Sequence, residues 1–255
     1  MSGILHRRSL VRLPMWETLL AALLLASCLV QVILTPWFLN WYTIADVSTQ
    51  FAEKGIVALP LALLIIAGEI DISVASIMAA ASVAMGLAAA AGFGTPVLVL
   101  VGIGTGAICG ALNGALVAGL QVPSIVATIG TMSLFRGAAY AVLGDRVIKA
   151  YPAGFDVFGQ GFVAGPVSVE LAIFSFVAAA CAIVLHRSTA GRRIYAIGAA
   201  PTVALWSGIA VQRMRFLLFL LVGAASGLAS VLLTSRLGST RPTIAQGWSS
   251  TSSAW

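Results

Sequence analysis

Charge is what this chain has least of. Only 9 % of its 255 residues are Asp, Glu, Lys or Arg, whereas soluble globular proteins carry about a quarter. So few charges cannot cover a water-facing surface, which excludes a soluble globular enzyme. No polar stretch is long enough to form a second domain. Histidine occurs twice, at His6 near the terminus and at His186 on a basic helix end, and neither has a metal-ligating neighbour. There is no glycine-rich loop ending in lysine, and no nucleophile stands beside a base. The chain is therefore expected to have no catalytic residues, no metal and no cofactor. Cys28, Cys109 and Cys181 lie far apart in apolar stretches. Their spacing fits no metal site, and thiols buried in a membrane rarely pair, so they read as small core residues.

What remains is apolar sequence. Hydrophobic residues make up 60 % of the chain, and a spanning helix needs ~20 of them in a run. Seven such runs appear, at about Met15–Gln31 (extending to Pro36), Phe51–Ala67 with Pro60 inside, Ile72–Ala91, Pro96–Leu120, Ser124–Leu143, Val167–Leu185 and Met214–Leu233. The expected fold class is an all-α polytopic membrane protein. Residues 1–14 form a cytoplasmic segment and residues 15–248 one transmembrane domain. The first run is too long for a signal-peptide core and ends without a small-x-small cleavage site, so it is read as a retained helix.

The net charge of +6 would suggest nucleic acid in a soluble protein. Here the basic residues collect at helix ends instead. With the N-terminus inside, Arg7, Arg8, Arg12, Arg187, Arg192, Arg193, Arg213 and Arg215 all fall on one side, eight of fourteen basic residues. That bias follows the positive-inside rule and places the N-terminus in the cytoplasm. Glu69 and Asp71 fall on the same side, but acidic residues weigh little in the rule.

Several features carry more specific meaning. Gly102, Gly106, Gly110 and Gly114 recur every four residues and give one helix a smooth face for close helix packing. Asn113 lies beside that face, to line a polar path or to bond another helix. A carboxylate at the bilayer centre costs ~2.5–3.5 kcal/mol, so Glu69 and Asp71 mark a break near the interface or beside a cavity. There Asp71 or Ser73 would cap the following helix. Arg136 follows Thr128, Thr131 and Ser133 within one span, either to meet substrate hydroxyls or to pair with an acidic or backbone group. Asn113, Thr128 and Arg136 are thus the candidates for a substrate path. The loop Gly144–Pro166, with Tyr151, Pro152, Phe155 and Phe158, reads as a structured outer connection or a plain linker. Between the last two spans, Pro201–Gly208 is expected to form a short amphipathic helix, which would dock into a partner's groove or lie in the interface.

Taken in order, these segments resemble the permease subunits of bacterial carbohydrate importers driven by an ATP-binding cassette, over about Gly55 to Trp248. The landmarks are Ile65-Ile66-Ala67-Gly68-Glu69-Ile70-Asp71-Ile72-Ser73, Gly110-Ala111-Leu112-Asn113-Gly114, Val122-Pro123-Ser124-Ile125-Val126-Ala127-Thr128-Ile129-Gly130-Thr131, Phe135-Arg136-Gly137 and the stretch Gly191–Gly208. The likeness is nearest to rhamnose permeases, through Leu143-Gly144-Asp145 and Thr234-Ser235-Arg236-Leu237-Gly238-Ser239-Thr240-Arg241-Pro242. Ribose and autoinducer-2 permeases look more distant.

The resemblance implies a substrate path across the bacterial inner membrane. It also implies a second permease, identical or related, a cytoplasmic ATP-binding cassette ATPase and a periplasmic sugar-binding protein, with no role for nucleic acid. Gly191, Arg192, Arg193, Tyr195, Gly198, Ala204 and Gly208 become candidates for the ATPase-coupling loop. Such permeases continue with further helices, so the chain is expected to be truncated, with residues 249–255 an atypical tail. Codons can be chosen for that tail so that one restored G yields Glu-Leu-Asp-Val-Ile-Ser-Met, a family-like continuation that points to a frameshift. An ion-coupled transporter or channel using Glu69, Asp71 or Arg136 is the alternative, and a non-transporting scaffold is a third reading.

Overall fold

The computed structural model describes residues 15–35, 40–164 and 167–246. The segment 1–14 and the tail 249–255 lie outside the described residues. Ten helices and one hairpin are described: α1 (Met15–Leu34), α2 (Trp41–Ile66), α3 (Val74–Ala90), α4 (Thr95–Gly114), α5 (Ser124–Leu143), α6 (Val157–Gln160), β1 (Phe162–Ala164), β2 (Val167–Ser168), α7 (Val169–Arg187), α8 (Thr189–Ala199), α9 (Pro201–Trp206) and α10 (Val211–Leu237). They fall into two units, residues 1–47 and residues 48–255.

Among the described residues, five segments are long and apolar enough to cross a membrane: Val47–Ile66, Thr95–Gly119, Ser124–Leu143, Val169–Arg187 and Val211–Leu237. Two shorter apolar helices, Thr18–Leu34 and Val74–Ala90, accompany them. The chain is an all-α polytopic membrane protein. Each apolar run in the sequence corresponds to one helix, but several boundaries move. Helix α2 begins ten residues before Phe51, because hydropathy marks the apolar slab and not the helix, and residues 43–50 are mostly polar. Pro60 sits inside α2 without ending it. Helix α4 passes into a π-helical turn at Ala115–Gly119, and Gln121, at φ 55°, ends it before Pro123. Val167, expected to open the next span, instead pairs as a strand with β1, and Ser168 caps α7 by accepting the Leu171 N–H at 3.1 Å. Helix α10 runs four residues past Leu233 to Gly238, whose φ of 57° turns the chain away.

Helix α10 is the centre of the second unit. On one side it lies against α4 through glycine. A Cβ added at Gly106 would stand 2.3 Å from the Gly223 carbonyl oxygen, and one at Gly110 would stand 2.4 Å from that of Phe219. Gly223 and Gly227 of α10 meet Gly106, Gly110 and Gly102 in the same way, so two bare backbones touch. At the ends of the face, Gly102 meets Met85 and Val231, and Gly114 meets Phe216. On its other side α10 runs parallel to α3. Ser230 donates to the Met78 carbonyl at 2.7 Å and Thr234 bonds Ser82 at 2.9 Å, a constant offset in sequence. Buried hydroxyls bonded across helices cost little to place in lipid and fix this register.

The connection between α5 and α7 is structured, with α6 folded against the end of α10. Tyr151 stacks on the buried Phe155 at 4.8 Å between ring centroids. Ser235 donates to the Phe155 carbonyl at 2.6 Å and accepts the Gly159 N–H at 2.8 Å. Ile148 and Thr240 exchange backbone hydrogen bonds of 3.3 and 2.9 Å. The Glu53 carboxylate, fully buried in α2, receives Arg236 Nε at 2.9 Å and Nη2 at 2.7 Å, a two-pronged pair.

Candidate functional site

The polar interior begins at the break between α2 and α3. Gly68, at φ 85°, ends α2, and Glu69 to Ser73 follow without helix. Asp71 does not cap α3 directly. Its Oδ1 accepts the Ser73 N–H at 2.8 Å and the Ser73 hydroxyl at 2.7 Å, and Ser73 makes no side-chain cap of its own. The Ser73 oxygen is already engaged by Asn113 Nδ2 at 2.8 Å, and the same amide reaches Asp71 Oδ2 at 3.2 Å. Asn113 therefore ties α4 to the break. Its immediate neighbour Gly114 continues the glycine face, which lets the short amide arrive.

Of the other candidates for a substrate path, Thr128 is buried and donates to the Ser124 carbonyl of its own helix at 2.8 Å. Arg136 donates to three carbonyls: Pro242 at 2.7 Å, Ile244 at 3.0 Å and Ala75 at 3.1 Å. Thr128 bonds only its own helix, whereas Asn113 and Arg136 each tie separate segments together. Arg136 takes the backbone partners that its place in a span allows.

Glu69 pairs with Arg215 Nε at 2.9 Å. The pair lines an open pocket with Gln121, Gln212, Val117 and Val122. The acidic residue that runs against the charge bias is thus neutralised by one of the arginines that create it. Among the described residues no cluster of three metal-ligating side chains occurs.

Helices α8 and α9 form the connection between α7 and α10. Ser188 caps α8 by accepting the Gly191 N–H at 3.2 Å. Ile194 and Ile197 are buried beneath the helix, while Arg192, Arg193 and Tyr195 face out. Gly191 and Gly198 are positions of close approach: an added Cβ would stand 2.1 Å from the Leu185 carbonyl oxygen and 1.8 Å from that of Ile66, respectively. Ala204 is buried, and Gly208, at φ 80°, makes the turn into α10. The seven coupling candidates therefore divide: Arg192, Arg193 and Tyr195 present exposed side chains, Gly191, Gly198 and Gly208 shape the backbone, and Ala204 is buried. The exposed apolar side chains that the glycines support are Val203, Leu205 and Trp206, the last 85 % exposed. Leu205 escaped the sequence reading, although its place in a short helix between two charged segments was visible. Gly198→Ala is expected to push α8 off the end of α2 and to cost about 1–3 kcal/mol, read as a lower thermal midpoint in detergent; an unchanged midpoint would contradict the contact.

Residues 43–254 match the family described as branched-chain amino acid transport system / permease component. The autoinducer 2 import system permease protein LsrD of Escherichia coli (strain K12) is 35 % identical over 232 residues, which cover 89 % of this chain and 70 % of that protein. The proteins of the same name from Shigella flexneri and from Escherichia coli O157:H7 show the same identity and coverage. No solved structure matches.

Proposed function

The chain belongs to the family of branched-chain amino acid transport system permease components, and from that membership we propose that it forms the solute path of an ATP-driven importer in the bacterial inner membrane. Members of this family are transport subunits and not enzymes. The proposed partners are a cytoplasmic ATP-binding cassette ATPase, a second permease and a periplasmic sugar-binding protein. The proposed topology puts the N-terminus and α8–α9 in the cytoplasm, with residues 15–248 as the permease domain.

One observation carries the reading beyond family membership. A short helix between two membrane helices shows Val203, Leu205 and Trp206 to its surroundings, and the helix before it carries the exposed Arg192 and Arg193. An exposed apolar anchor on a short helix suits a protein groove, and large aromatic residues dominate such contacts. Trp206→Glu is expected to lower ATP-driven uptake at least tenfold while membrane insertion stays normal. Wild-type uptake in that variant would remove the docking role.

The proposed solute is a small polyhydroxylated molecule. Motifs after α5 and at the end of α10 favour rhamnose, and the relatives' name favours autoinducer 2. Labelled rhamnose and autoinducer 2 should be offered separately to vesicles holding the assembled importer and ATP. Uptake that ignores ATP and follows a proton or sodium gradient would replace this reading with an ion-coupled transporter.

A further inference from the structure

After Gly238 the chain does not leave the bundle. Thr240 bonds the Ser82 hydroxyl at 2.9 Å and the Ser82 carbonyl at 3.1 Å, midway along α3. Arg136, midway along α5, holds the Pro242 and Ile244 carbonyls with one nitrogen and the Ala75 carbonyl with another. The offset that pairs Met78 with Ser230 sets Ala75 level with about Gly227, ten residues short of Leu237. At 1.5 Å per residue the segment has therefore doubled back roughly 15 Å alongside the helices. It is non-helical backbone at membrane depth, with Ala245 in the left-handed region at φ 59°.

Such backbone does not face lipid; it is buried in protein or lines water. Side chains along the segment alternate. Thr240, Pro242 and Ile244 are buried against the bundle, while Arg241 and Thr243 face away from it. No carboxylate pairs with Arg241 among the described residues. A dry protein contact would strand that guanidinium, at the cost of several kcal/mol that follows from burying an unpaired ion.

We propose that Arg241 and Thr243, on a re-entrant segment hooked by Arg136, line the water-filled solute path. The five N–H donors of the guanidinium and the threonine hydroxyl meet the oxygens of a small polyhydroxylated solute. The assignment rests on the permease reading for its solute and on the geometry alone for its water. Arg136 stands behind this lining as its support.

The test is thiol accessibility in membrane vesicles from cells producing the whole importer. Cys28, Cys109 and Cys181 are first replaced by alanine. Thr243→Cys and Arg241→Cys are then compared with Ile108→Cys, on an outward face of α4 and 71 % exposed. A membrane-impermeant charged methanethiosulfonate is expected to react at least tenfold faster with the first two, because only a wetted thiol ionises. Millimolar rhamnose or autoinducer 2 is expected to slow that reaction at least threefold. Rates no faster than that of Ile108→Cys would overturn the aqueous lining. Fast labelling that neither solute slows would overturn the solute contact. ATP-driven uptake by the cysteine-free parent is measured alongside. Failure there with fast, unprotected labelling would remove the importer reading and leave the wetted segment standing.

Discussion

Gly106→Leu is expected to abolish the folded state in detergent and to leave the chain as aggregated or degraded material. The reason is geometric. At Gly106 the nearest atoms to an added Cβ are the Gly223 oxygen at 2.3 Å and the Gly227 Cα and N at 2.7 Å. All are backbone, so no rotamer change makes room. The two helices must separate, and the loss spreads along the face that Gly102, Gly110, Gly223 and Gly227 share. In lipid, packing is what holds helices together, so an expected cost of about 3 kcal/mol or more exceeds the usual range for overpacking. The control is Gly104→Leu on the same helix, where nothing lies within 4 Å of an added Cβ. That variant should keep a near-wild-type melting profile. Equal loss in both variants would show that helix propensity, and not the glycine face, is responsible.

Arg236→Ala is expected to destabilise the protein by about 3–5 kcal/mol, because it leaves Glu53 buried without its partner. Glu53 is 0 % exposed and accepts from two of the three guanidinium nitrogens, Nε and Nη2. Replacing both members tells pairing from simple packing. Glu53→Gln with Arg236→Met removes both charges and keeps most of the volume, so the double variant should recover most of the loss. Thermal unfolding of the two single variants and the double variant forms the measurement. Additive losses would mean that the two residues act independently.

The spanning helices were legible because lipid imposes one crude rule, length of apolar run, that the sequence obeys. Partner choice is not written that way. The glycines of α4 stood out by spacing, and Gly223-x-x-x-Gly227 carries the same signal on α10, but nothing local says that these two faces meet each other. Glu53 and Arg236 are separated by most of the chain, and only the fold joins them. The hairpin that displaced the start of α7 depends on pairing between Phe162 and Ser168, a choice that hydropathy cannot register. Among site residues, a short amphipathic helix at Pro201–Gly208 was expected and α9 lies there, while the longer α8 before it was not foreseen as a helix. Gly198 and Ala204 entered as coupling candidates through the resemblance; close approach to the Ile66 carbonyl gives Gly198 a packing role that spacing alone does not show. The doubled-back segment was invisible, since its polar residues read as the loop after a span.

The order of synthesis gives the glycine seam a further meaning. Helix α4 enters the membrane with a strip of bare backbone, and the helix that covers it is made more than a hundred residues later. At ribosomal speeds of about 5–20 residues per second, that strip waits roughly 5–20 s for its mate. During that interval any other small-faced helix in the bilayer competes for it. Biogenesis of this chain is thus a race against wrong neighbours, decided by how long α4 remains without α10.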